Sequence, residues 1–379
     1  MGSVLLAPDK FKGTLTGAEV AASLAQGIHS RRPQADVISI PVADGGEGFL
    51  DAFAAAGFER IALNATDAAG RPAPTDYARR GRTAAVELAR VAGLAAIQRA
   101  SGPAPLTATS RGLGEILAHA LDAGCTRVLV GIGGSACTDG GVGLLQALGA
   151  SVRDAAGAEV GPGGAGAATA ATLDLSHLHP GLARAQIEIA CDVDNPLTGP
   201  QGAAAVYGPQ KGADPDQVRT LDAALARWAD LVAVATGADH RSAPGAGAAG
   251  GVGFGAIAAL GARLRPGAQL ILEQLAFAEA LAGATLLVTG EGSLDEQTLR
   301  GKAPSAVAAA GRAAGVPVIA VAGRCLLAAP QLRAAGFERV YTLLEEADTP
   351  EQALAQGPAL LRRIGARLTD RLPDEPDER

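Results

Sequence analysis

Aromatic residues make up only 3% of the 379-residue sequence, with one tryptophan and three tyrosines. That leaves little to stack on bases, and a formal net charge of -7 repels a phosphate backbone, so general nucleic-acid binding is disfavoured. Only four cysteines are present. Cys125, Cys137, Cys191 and Cys325 form no CxxC pair and have no histidines at zinc-finger spacing, which reads as reduced, cytoplasmic thiols. The opening Val4-Leu5-Leu6-Ala7 run has no basic segment before it and no cleavage site after it, so no secretion signal is expected. Residues 242–262 carry no charge and are long enough to mimic a membrane span, but they are mostly Gly and Ala. A Gly-rich loop and helix is expected there instead. The Walker A pattern is missing: its first glycine is replaced by Glu296 ahead of Gly301-Lys302, and Ala303 follows the lysine. No GxSxG elbow occurs, and Ser135 has no histidine partner recognisable in the sequence, which disfavours triad hydrolysis. His177 and His179 are the one histidine pair at ligand spacing, without a third ligand beside them.

What is there is a chain that can bury a core. Apolar residues are 48% and charged residues 19%, and the length suits two domains. The 51 glycines follow no three-residue period, which excludes collagen and implies Gly-rich loops. Continuous apolar runs at 4–8, 36–42, 127–132, 186–193, 285–290, 316–323 and 339–344 predict strands buried on both faces. Helical patterns at 17–30, 111–123, 216–236, 303–314 and 350–368 alternate with them, the alternation of a parallel α/β sheet. Thr109 and Ser110 are N-cap candidates and Gly124 a C-cap candidate for the second helix. Residues 151–175 read as a strand, a flexible turn and a connection.

Lysine is the scarcest cation: the sequence has 28 arginines but four lysines. Lys10 and Lys12 lie in APDKFKGT, Lys211 in GPQKGA and Lys302 in RGKAPS, all among Gly or Pro in presumed loops. A compact, mobile point charge in such a place suits a transferring phosphoryl group better than the planar fork of arginine. Carboxylates cluster in the same way in VADGGEG, CTDGGVG, CDVDNP and TGEGSLDEQT, each near the carboxyl end of a predicted strand, where α/β sheets bind ligands. Magnesium takes hard oxygen ligands, making Asp194, Glu291 and Asp295 candidates for a metal site, with Asp192 beside them. Turn and cap formation is the competing role for each.

GIGGSACTDGGVG follows a strand and precedes a helical pattern, so Gly133, Gly134 and Ser135 are candidates for an anion-binding loop at a helix N-terminus. Gly131, Gly133 and Ala136 also satisfy GxGxxA, with Asp154 about 20 residues on. That leaves a nicotinamide-dependent hydroxy-acid dehydrogenase as the alternative enzyme, and a non-catalytic small-acid binding protein as a third reading.

Taken in order, APDKFKGTLT, PVADGGEG, TSRGLGE, GIGGSACTDGG, CDVDNPLTGPQGAAAVYGPQKGA, GAGAAGGVGFG and TGEGSLDEQTLRGKAPSAVA resemble the type 1 glycerate kinases across nearly the whole chain. The resemblance implies ATP as donor, a divalent cation such as Mg²⁺, and D-glycerate as acceptor, commonly at its 2-hydroxyl; a 3-phosphoglycerate-forming kinase stays open. It also implies an α/β fold of two domains: a flavodoxin-like domain with a parallel sheet, expected at 1–60 plus 285–379, and a mixed α/β domain inserted into it, expected at 61–284. Cys137-Thr138 replaces the Thr-Asn of the family block, while Asp139 is retained. Lys10 stands where several relatives have serine, so Lys12 is the firmer carry-over. Residues and resemblance together make Lys12, Asp44 and Asp192 the catalytic candidates, the carboxylates as alternatives for accepting the hydroxyl proton. Lys10, Gly133, Gly134, Ser135, Lys211 and Lys302 are the expected nucleotide contacts. Arg111 is expected to pair the glycerate carboxylate. Neither a nucleic-acid nor a membrane partner is expected, and oligomeric state stays open.

Overall fold

A computed structural model describes residues 2–100 and 102–372. Contacts divide the chain into two compact units, Met1–Asp44 with Gly267–Arg379, and Gly45–Pro266. The sequence reading set these crossings at 60/61 and 284/285. Residues 59–66 pair within the sheet of the second unit, and 267–282 form helices that pack in the first.

The first unit is built on a five-stranded parallel sheet of β1 (Ser3–Pro8), β2 (Val37–Ser39), β11 (Ala284–Leu294), β12 (Val318–Cys325) and β13 (Arg339–Thr342). Its order, β2-β1-β11-β12-β13, is the flavodoxin-like 2-1-3-4-5 once the excursion into the second unit is set aside. All six residues of β1 are buried. Val4 and Leu6 enter one apolar cluster, Leu5 and Ala7 another, which is why the strand reads as a continuous apolar run. Helix Gly17–Arg31 starts at a capping box in which Thr16 and Glu19 exchange hydrogen bonds. It packs on helix Gly357–Leu368 with almost no side chain between the backbones: a Cβ on Gly27 would lie 2.1 Å from the Arg362 carbonyl oxygen. The helix expected at 350–368 is two, Pro350–Ala355 and Gly357–Leu368, separated at Gln356.

The second unit has a mixed six-stranded sheet in the order β10-β9-β6-β5-β4-β3. These are β3 (Glu59–Thr66), β4 (Pro72–Arg80), β5 (Thr83–Glu87), β6 (Arg127–Gly131), β9 (Gln186–Ala190) and β10 (Arg263–Arg265). β5, β6, β9 and β10 pair in parallel, while β4 pairs antiparallel with both β3 and β5. Separately, β7 (Ser151–Asp154) and β8 (Ala170–Asp174) form an antiparallel pair, with helix Gly163–Thr169 between them where only a turn was expected. Residues 242–262 contain the helical span Ala248–Leu260, broken near its start by left-handed Ala249, Gly250 and Gly251, and among the described residues no helix is long and apolar enough to cross a membrane.

Candidate active site

In the first unit the chemistry gathers at the carboxyl ends of β1 and β11, the neighbouring strands at which the sheet order reverses and where open α/β sheets take ligands. The Asp9 N–H donates to the Gly290 carbonyl at 2.8 Å, joining the two strand ends. Gly290 cannot be replaced without shifting β12, since a Cβ would lie 1.7 Å from the Val321 carbonyl oxygen. Asp9 is 4% exposed and accepts the Lys10 N–H at 2.6 Å. The Lys10 ammonium lies 3.6 Å from Asp9 and 3.9 Å from Asp44. Burial pushes the Asp9 carboxyl up to about 7; Lys10 opposes this, and the charges of Asp44 and Glu291 reinforce it.

Beyond Lys10 the chain makes a tight turn. Phe11 pairs with Leu15, and the Thr14 N–H and hydroxyl both donate to the Phe11 carbonyl, leaving Lys12 exposed at the tip. At the end of β11, Glu291 is buried and accepts the Thr298 hydroxyl at 2.6 Å through Oε1, while the Lys302 ammonium is 3.6 Å from Oε2. Burial raises the Glu291 pKa; Thr298 and Lys302 oppose it, and Asp295 and Asp44 add to it. Asp295 caps its own turn, accepting the Gln297 N–H while its N–H donates to the Thr298 hydroxyl. Lys302 is the residue before helix Ala303–Ala314. Five residues singled out in the sequence, Lys10, Asp44, Glu291, Asp295 and Lys302, thus belong to one network of charges. Asp9 and Thr298 were overlooked, although both lie inside blocks already quoted.

The second unit presents a loop at the carboxyl end of β6. The Gly133 N–H donates to the Gly45 carbonyl at 3.1 Å, and Gly134 is left-handed at φ +70°. The expected anion site at a following helix start is closed by the protein itself. That helix begins only at Val142, and Asp139, wholly buried, accepts the N–H groups of Gly141 and Gly143. Gly133 and Gly134 lie in the loop ahead of it. Asp139 also accepts the Ser110 N–H and hydroxyl, each at 2.8 Å. Burial raises the Asp139 pKa, and these four donors work against the rise. Ser110 therefore makes no side-chain cap on its own helix; its hydroxyl serves Asp139 and accepts the Leu144 N–H. Thr109 does the local capping, accepting the Arg111 N–H.

Arg111 is half-exposed and donates through Nε to Glu115 at 3.1 Å, and Glu115 in turn accepts the Thr66 N–H and hydroxyl. Lys211 is only 3% exposed, with Nζ bonded to Ser135 Oγ at 3.1 Å and the Cys137 carbonyl at 2.6 Å. Asp192 and Asp194 are exposed after β9. The adjoining Asn195 side-chain amide is buried with no hydrogen-bond partner among the described residues. The Asn195 backbone carbonyl accepts the Gly247 N–H, which ties this segment to the Gly-rich loop, where Ala249, Gly250 and Gly251 are all left-handed.

Asp154 and His179 each serve their own turn. Asp154 lies on the β7–β8 hairpin, outside the parallel sheet, and its carboxylate accepts the Ala156 and Ala158 N–H groups, so it serves no ribose at a dinucleotide site. His179 accepts the Gly181 N–H at Nδ1 and contacts Asp122 at Nε2, a turn-stabilising arrangement. No group of three or more His, Cys, Asp or Glu side chains arranged for a metal is found among the described residues.

Comparison with known proteins places the whole arrangement in context. Residues 4–372 match the Glycerate kinase family. Glycerate kinase of Bacillus subtilis (strain 168) is 40% identical over 363 residues, 95% of each chain. Glycerate 2-kinase of Escherichia coli (strain K12) is 40% identical over 354 residues, 92% of each chain. A crystal structure from Salmonella typhimurium LT2, provisionally assigned as glycerate kinase 2, superposes with a TM-score of 0.85 at 40% identity, covering 98% of both chains. With that extent of match in sequence and in fold, the chain belongs to the glycerate kinase family.

Proposed function

We propose that the protein transfers the γ-phosphoryl group of ATP to D-glycerate, giving 2-phospho-D-glycerate and ADP. The observation that carries this reading is the network at the switch point of the parallel sheet, where Lys10 and Lys302 stand among Asp9, Asp44 and Glu291. Phosphoryl transfer asks for charge neutralisation, alignment and a proton acceptor, and little covalent chemistry from the protein. Lys12, free at its turn, and Lys302 face phosphate oxygens in this reading, with Lys10 beside them. The bare backbone of Gly133 and Gly134 and the Ser135 hydroxyl approach the nucleotide. Asp44 or Asp192 takes the hydroxyl proton as the new O–P bond forms and the bond to ADP breaks. Arg111, held by Glu115 through Nε, keeps its terminal N–H groups for the glycerate carboxylate.

Asp194, Glu291 and Asp295 are the carboxylates that would hold Mg²⁺, which would supply neutralisation of the charge that develops on transfer. Hard carboxylate oxygens are the donors such an ion takes, and one or two of them suffice when phosphates complete the shell. A cytoplasmic location accords with the four free thiols. Incubating purified protein with ATP, Mg²⁺ and D-glycerate should release ADP only when all three are present. Release that ignores D-glycerate would contradict the reading.

A further inference from the structure

Taking an ammonium out of water is costly unless it is hydrogen-bonded and balanced by opposite charge. Lys211 meets the first condition inside the second unit through two hydrogen bonds. It ends the 3-10 turn Pro209–Lys211, and the chain reverses at once through Gly212, left-handed at φ +90°. From there Nζ reaches the Cys137 carbonyl at 2.6 Å and Ser135 Oγ at 3.1 Å, both on the loop that leaves β6. Two residues further on, the same loop is held by Asp139 through its four bonds to Ser110, Gly141 and Gly143. Burial pushes the Lys211 pKa down, and the charges of Cys137 and Asp139 oppose the fall. Thr138 between these anchors is wholly buried, and its hydroxyl has no partner among the described residues, so its own side chain does not fix the segment.

We infer that Lys211 is a positioning residue: its ammonium fixes the Ser135–Asp139 segment from within the protein, opposite the anchor at Asp139, and does not touch nucleotide phosphate. Its catalytic consequence rests on the kinase reading: a segment so fixed keeps the adjoining Gly133–Ser135 backbone in one arrangement before ligand arrives, which lowers the cost of aligning the reactants. A lysine kept free for phosphate would leave the ligand-free loop unchanged when removed. A positioning lysine would not.

The test is amide hydrogen exchange of the ligand-free, full-length protein, comparing wild type with Lys211→Met, Lys211→Arg and Ser135→Ala. Lys211→Met should speed exchange across residues 133–141 by about tenfold or more, the effect of losing a charged hydrogen bond in a buried segment. Amides of β5 should keep the wild-type rate. Lys211→Arg, still able to donate to both acceptors, should recover part of the protection, and kcat should follow the same order. Wild-type exchange across 133–141 in Lys211→Met, with only the KM for ATP raised, would overturn the inference in favour of direct phosphate contact. Should Lys211→Met fail to fold, Ser135→Ala decides: faster exchange of the same segment supports the positioning role and a wild-type rate refutes it. Because no substrate is present in the exchange measurement, an inactive protein would sink the kinase reading without touching this one.

Discussion

Glu291 and Thr298, seven residues apart at the carboxyl end of β11, are joined by a 2.6 Å hydrogen bond in which the hydroxyl donates to the buried carboxylate. The bond works against burial to keep Glu291 ionised, and it leaves Oε2 toward Lys302. Thr298→Val preserves the shape and removes the donor. It should cost about 1–3 kcal/mol in urea unfolding. An unchanged unfolding midpoint would mean that another donor replaces the hydroxyl.

Asp9 leads to a prediction about pH. Its carboxyl is raised from the ordinary 3.8 to about 7 chiefly by burial. The folded protein therefore holds this proton between about pH 4 and 7 when the unfolded chain has already lost it, so the Asp9 contribution to stability falls as pH rises through that window. The span corresponds to on the order of 4 kcal/mol. Asp9→Asn should unfold at a higher temperature than wild type at pH 8, with the advantage shrinking as the pH is lowered towards 4. An advantage that did not change with pH would contradict the assignment.

Glu188 predicts the opposite slope. Partial burial acts to raise its pKa, but hydrogen bonds from Arg127 at 2.7 Å and Arg265 at 3.0 Å outweigh it, and the net shift is downward from 4.5. Its contribution is present above the unfolded value of 4.5 and is lost as pH falls through the lower folded value. Glu188→Gln should cost about 2 kcal/mol at pH 7 and progressively less below pH 4. Thermal unfolding across that range checks the convergence.

The two proton-acceptor candidates separate by mutation. If Asp192 takes the hydroxyl proton, Asp192→Asn should lower kcat by about 100-fold or more with a small change in the KM for ATP, while Asp44→Asn should act through its neighbour Lys10 and shift that KM. The reverse pattern would assign the proton to Asp44. Full activity in both variants would exclude the pair.

How much of this was legible in the sequence follows from what each signal measures. The parallel strands β1, β6, β11 and β12 were found because burial on both faces makes them continuous apolar runs, and β9 by Ile187 and Ile189 alternating with polar residues. β3 and β4 were missed because their faces differ in burial, and β10 because three residues carry no pattern. The end of β13 was misread because Leu343 and Leu344 continue the apolar run, whereas Thr342 caps a helix from Leu343 to Glu346. At the site, residue type and loop position picked out Lys10, Asp44, Glu291 and Lys302. Spacing alone could not separate a lysine facing solvent, such as Lys12, from one turned inward, such as Lys211. Nor could it reveal that Ser110 and Asp139, 29 positions apart, share two hydrogen bonds.

The central claim is the transfer itself and where the phosphoryl group lands. Phosphorus NMR of the product formed from D-glycerate, ATP and Mg²⁺ reads both at once. The account predicts 2-phosphoglycerate and ADP in equal amounts. A 3-phosphoglycerate signal would contradict the proposed acceptor hydroxyl, and no phosphorylated glycerate at all would contradict the proposed reaction.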